Sequence, residues 1–171
     1  MRIWVAALAF VLAAGAASAM SLSSSDFTDG GRIPLIHNYP RCGGQNLSPR
    51  LSWKGVPSSA KSLMITMIDQ DVAPNMWSHW IVEGIAPKTT GLAQGAALPA
   101  GARGVMNNFG DDRYDGPCPP SGTGTHRYRI TLWALGVADP QIVGNAPAKD
   151  LEAVLPQYAI DSASITGTVR R

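Results

Sequence analysis

D-G-P-C-P-P-S-G-T-G-T-H-R-Y-R-I-T-L-W-A-L, Asp115 to Leu135, passes from an irregular loop into a strand without a break. Its first half is built from proline, which fixes φ and has no N–H, and from glycine, which reaches conformations closed to other residues. From Arg127 to Leu135 the residues turn β-branched, aromatic and alternating, which predicts a strand. Similar runs occur at Ser62 to Asp69 (S-L-M-I-T-M-I-D) and His79 to Ile85 (H-W-I-V-E-G-I), with shorter ones at Leu51 to Trp53 and Ile165 to Val169. Turn signals separate them: Asp29-Gly30-Gly31, Ser48-Pro49, Val56-Pro57, Ala86-Pro87 and Asp139-Pro140. One helix is expected, from Pro147 to about Leu155, with proline at its first turn and Pro156 as its stop. Many short strands joined by loops predict an all-β fold, an antiparallel sandwich with few short helices.

The first 19 residues read as a cleaved signal peptide. Arg2 supplies the positive start, Ile3 to Ala14 the apolar stretch, and Ala17-Ser18-Ala19 the small-residue cleavage site. No twin arginine and no nearby cysteine for a lipid accompany it. Residues 20–171 then form one domain, exported and periplasmic, with no transmembrane segment in the mature chain. Lys and Arg total 14 against 12 Asp and Glu, so the whole chain carries +2. That near-balance gives no basic patch and argues against nucleic acid as a partner. The two cysteines, Cys42 and Cys118, are consistent with one bridge in an oxidising compartment. Two free thiols or a two-ligand metal site are the alternatives, although there is no C-x-x-C spacing. A bridge closing so long a loop would contribute about 4 kcal/mol on the chain-entropy model.

Alternation sorts the candidate functional residues. Asp69 and Asp71 are expected on one face and Gln70 on the other. Trp77 and His79 are expected to share a face, with Trp80 and Val82 opposite. His126 and Tyr128 share a face, with Arg127 and Arg129 opposite. Each doublet falls at a strand end beside a proline-containing loop, where a sandwich can open a small polar pocket. Taken singly, each has a plainer role: a hydrogen-bonded edge histidine, aspartates bonding turn amides, a core tryptophan.

Taken together, D-Q-D-V-A-P (Asp69 to Pro74), W-S-H-W (Trp77 to Trp80) and G-P-C-P-P-S-G-T-G-T-H-R-Y (Gly116 to Tyr128) resemble the signature blocks of the phosphatidylethanolamine-binding protein family. N-L-S-P-R-L-S-W (Asn46 to Trp53) and S-A-S-I-T (Ser162 to Thr166) resemble it as well, so the likeness spans nearly all of the mature chain. It is nearest to the exported bacterial branch, whose members carry cysteines near Cys42 and Cys118, and this supports a Cys42–Cys118 disulfide. The resemblance implies a large and a small antiparallel sheet with an anion pocket at one end. Asp69, Trp77, His79, His126 and Tyr128 would line it, and Asp71 and Pro74 are further ligand-binding candidates. Gly116, Cys118 and Pro119 would form a wall, and the Cys118 N–H would be an anion donor. Two departures stand out. Gln70 replaces the usual proline between the aspartates, so the bond before it is expected to be trans. Val72 lengthens the step to Pro74.

Imidazole, phenol and amide donors around a small cavity suit a phosphate, a phosphorylated head group or a small carboxylate. The expected function is therefore binding of small anions rather than catalysis, with no cofactor and no metal. A small hydrolase or metal-dependent enzyme using the His/Asp cluster is the alternative, without a G-x-S-x-G elbow to support it. A further alternative, implied by the resemblance, is modulation of a protease or envelope protein through the pocket rim. Exposed strand edges leave a homodimer open.

Overall fold

The computed structural model describes residues 19–171 except Val143, so the signal-peptide reading falls, but for Ala19, outside the described residues. The strands are β1 (Ser21–Ser23), β2 (Leu51–Lys54), β3 (Ser62–Asp69), β4 (Trp77–Ile85), β5 (Gly91–Leu92), β6 (Arg103–Gly104), β7 (Thr125–Leu135) and β8 (Ala159–Arg170). They form an antiparallel three-stranded sheet, β1-β2-β5, and an antiparallel five-stranded sheet, β6-β4-β3-β7-β8. The expected large and small sheets are both present.

Strand β3 is central in the large sheet and all eight of its residues are buried. Its period of two sends Leu63, Ile65 and Met67 inward, where they pack with Leu22, Leu51 and Trp53 of the small sheet and with Ile130 and Leu132 of β7. Met64, on the other face, meets Ile81, Trp133, Leu151 and Leu155. That outer layer is covered by α1 (Ala148–Val154), capped by Pro147 and followed by a 3-10 turn, Leu155–Gln157. Helix and start agree with the sequence; Pro156 tightens the helix into 3-10 geometry rather than stopping it at once. An Arg129–Glu152 ion pair ties α1 to β7. β8 runs twelve residues, far beyond the Ile165 to Val169 core expected, because its first half alternates exposed and half-buried residues and shows no apolar run.

One irregularity decides the site. Asp69 pairs with Trp77 and Ile68 with Ser78, but Met67 pairs with Trp80, so His79 is an extra residue on β4. Such a β-bulge resets the alternation. The expectation that Trp80 and Val82 oppose His79 is thereby corrected. Trp80 and Val82 join the inner core, and His79 also turns inward against Tyr128, at 5.1 Å between ring centroids.

Candidate functional site

The end of β3, the start of β4 and the start of β7 meet where Asp69 pairs with both Trp77 and Tyr128. Asp69 is 2 % exposed. Its Oδ2 accepts the Nδ1–H of His126 at 2.7 Å and its Oδ1 accepts the Asp71 N–H at 2.9 Å. His126 Nε2 lies 2.9 Å from the Thr123 hydroxyl, which also lies 2.8 Å from the Pro120 carbonyl. Thr123 has one proton for two partners. Given to Pro120, it requires an N–H on Nε2 and hence an imidazolium paired with Asp69; given to Nε2, it fits a neutral ring.

His79 differs. Its Nδ1 donates to the Asp115 carbonyl at 2.7 Å, so in the neutral ring Nε2 is an acceptor. Burial lowers its pKa to about 4, outweighing the Asp115 hydrogen bond and the Asp69 charge, which act the other way. The two histidines, expected to act alike, are therefore unlike: His79 is a neutral acceptor near neutral pH.

The Tyr128 hydroxyl is fully buried, with the Asp69 carboxylate close by but no hydrogen bond of full geometry to it. Burial first, and then the Asp69 carboxylate, raise its pKa, so it stays a neutral donor. Trp77 stands half-buried at the rim, edge-on to Phe109 at 5.7 Å, and Phe109 lies edge-on to His79 at 5.0 Å and stacks on Tyr39 at 6.1 Å.

The wall is held from behind. Asn46, in a left-handed conformation (φ 58°), accepts the Gly116 N–H at 2.7 Å and donates to the Tyr114 carbonyl at 3.0 Å. Tyr39 N–H donates to the Pro117 carbonyl at 3.1 Å. A Cβ on Gly116 would sit 2.0 Å from the His37 carbonyl oxygen, so only glycine fits there. Pro119, within the same loop, is buried. Cys118 bridges to Cys42 across 76 residues of sequence, with a Cα–Cα distance of 5.6 Å. Among the described residues its N–H has no protein partner.

Two named residues stand apart. Asp71 lies beyond the last residue of β3, where alternation no longer applies, and its carboxylate forks onto Arg127 at 2.7 and 3.0 Å. Arg127 holds the Asp71 carboxyl below the usual range. Pro74 is exposed in the following turn, after a cis Ala73–Pro74 bond; the bond before Gln70 is trans. Residues not singled out by sequence also build the site: Phe109, Thr123, Asp115 and Asn107, whose amide donates to the Asp115 carboxylate at 2.9 Å and the His79 carbonyl at 3.1 Å. Asn107-Asn108-Phe109-Gly110 reads locally as a turn, and nothing in it points to His79. Among the described residues, no group of three or more His, Cys, Asp or Glu is placed to hold a metal ion.

A two-sheet sandwich with a His/Asp/Tyr cluster beside a Gly-Pro wall defines the class. The profile of the phosphatidylethanolamine-binding protein family matches residues 23–170, and the chain belongs to that family. It is 39 % identical over 155 residues to a Mycobacterium tuberculosis protein named putative lipoprotein LppC, covering 91 % of this chain and 74 % of that one. A UPF0098 protein of Methanothermobacter thermautotrophicus is 37 % identical over 156 residues, covering 89 % and 99 %. The crystal structure of Escherichia coli YbcL, described as a member of the mammalian family, superposes with a TM-score of 0.81 at 30 % identity, covering 90 % of this chain and 99 % of that one.

Proposed function

We propose that the cluster of Asp69, His79, His126 and Tyr128 binds a small anion or phosphorylated head group, with the Cys118 N–H as a further donor. The observation that carries this is the Tyr128 hydroxyl, buried beside two imidazoles and the Asp69 carboxylate without a hydrogen bond of full geometry. An unmade buried hydrogen bond costs about 1–3 kcal/mol, and an oxyanion would recover it. His79 Nε2, an acceptor when neutral, suits a ligand that brings its own proton or a site that takes one up. Anion binding is then coupled to protonation.

The site is a binder rather than a catalyst in this reading. Asp69, His126 and Thr123 do line up as carboxylate, imidazole and hydroxyl. However, the hydroxyl can give its proton to the Pro120 carbonyl, and a secondary alcohol so engaged is a poor nucleophile. Export to an oxidising compartment belongs to the same proposal, supported by the Cys42–Cys118 bridge. Among the described residues, no helix is long and apolar enough to cross a membrane. A partner protein would meet the half-exposed Phe109 and Trp77 at the rim.

Calorimetric titration with phosphoethanolamine between pH 5 and 8, in buffers of different ionisation enthalpy, tests the proposal. Proton uptake on binding and affinity that falls as pH rises are expected. Tyr128→Phe should weaken binding by about tenfold. Unchanged affinity in Tyr128→Phe would remove the site from consideration.

A further inference from the structure

Met20 stands just ahead of β1, is 7 % exposed and packs in the core with Leu22, whereas Ala19 before it is exposed. The Met20 N–H donates to Asp161 Oδ2 at 3.2 Å. Asp161 is half-buried in β8, so this bond ties the edge of the small sheet to the edge of the large one. Its other oxygen, Oδ1, accepts the Ser162 N–H at 2.7 Å. Among the described residues, no Lys, Arg or His pairs with Asp161. Lys54, opposite Ser21 in β2, is exposed and does not reach it.

Asp29, Asp112, Asp115 and Asp150 also lack a cation; what sets Asp161 apart is where its donor lies. The nitrogen on its Oδ2 is the one that the small-residue motif Ala17-Ser18-Ala19 marks for release. Hydrolysis by an export-linked endopeptidase adds one water across the Ala19–Met20 bond. The water oxygen goes to the Ala19 carbonyl carbon, giving a carboxylate. Both water protons go to the Met20 nitrogen, giving an α-ammonium. A neutral donor thus becomes a charged one in place, facing a carboxylate that is already there. Charge-assisted bonds are roughly twice as strong as neutral ones. The position of the cut matters. A chain starting at Ser21 loses the Met20 side chain from the core and leaves Asp161 Oδ2 without its donor. A chain starting further upstream keeps only the neutral amide there.

We propose that processing after Ala19 completes an ion pair: the Met20 α-ammonium binds Asp161 and clamps the start of the mature chain onto β8. The clamp rests on the export reading given above and is independent of the anion site. It makes the processed chain more stable than its precursor, through a pair that the precursor cannot form.

The test begins with the full chain, produced with its own leader in a bacterium that exports it. Intact mass should place the start of the exported protein at Met20. A second form, released from a cleavable fusion, keeps Ala17-Ser18-Ala19 ahead of Met20 and so holds its ammonium away from Asp161. Both forms are melted with Asp161 and with Asp161→Asn. At low salt the substitution should lower Tm by about 3 °C more in the form that starts at Met20. In about 1 M salt that excess should shrink, because a partly exposed pair is screened. An equal effect of Asp161→Asn in the two forms, with the start at Met20, overturns the clamp alone. A start at any other residue, or an uncut chain, overturns the clamp together with the processing site on which it rests.

Discussion

Asp69 and Asp71 stand two residues apart and do opposite things. Asp69 is the last residue of β3, buried, with its oxygens on His126 and an amide. Asp71 is beyond the strand, its carboxylate partly in solvent and forked onto an arginine that is itself mostly exposed. One strand end separates a carboxylate inside the low-dielectric site from one in a surface pair. The same residue type gives a site residue or a surface clamp according to where the ladder stops.

Asp69→Ala should have the largest effect. It strands the His126 Nδ1–H and the Asp71 N–H, and each unmade buried hydrogen bond costs about 1–3 kcal/mol. For a chain of this size that lowers Tm by on the order of 10 °C, readable by thermal melts. A shift as small as that of Asp71→Ala would erase the distinction between the two aspartates.

His79 should give the next largest effect. Its pKa falls from 6.5 when unfolded to about 4 when folded, so between these values the unfolded chain binds the extra proton. Stability is then complete above pH 6.5, declines as pH falls toward 4, and levels off below it. The loss amounts to about 3 kcal/mol. NMR of the ring should show His79 titrating near pH 4 in the ligand-free protein; titration near 6.5 would place it in solvent.

Asp71→Ala should have the smallest effect. Its carboxyl is held below 3.8, so its contribution is present above that pH and fades as pH drops through the folded value. The difference from wild type should also shrink in about 1 M salt, where exposed pairs are screened. A salt-independent loss would show Asp71 to be buried with the site instead.

Much of this was legible in the sequence because strand patterns are local. S-L-M-I-T-M-I-D became β3 with the same bounds, and the His126/Tyr128 doublet kept its face because β7 pairs with β3 and β8 without a break there. The Trp77–Trp80 reading failed in part because a bulge adds a residue without changing composition. Asp71 was misjudged because alternation was carried past a strand end. Phe109 and Asn107 were invisible because their link to His79 spans about thirty residues and a turn. The two cysteines alone left free thiols and a two-ligand metal site open, and the family resemblance favoured the Cys42–Cys118 bridge that the structure shows.

Thr123 leaves a last consequence. Its hydroxyl already sits on His126 Nε2, flanked by Gly122 and Gly124, both at positive φ with open space around them. Any ligand that reaches this nitrogen must displace an occupant the protein carries within its own chain. A tethered hydroxyl is present at high effective concentration and is never diluted, so it would set a threshold that weak ligands fail to cross. At the proposed anion site the loop would thus act as a built-in competitor, and how readily it yields would decide which visitors are held and for how long.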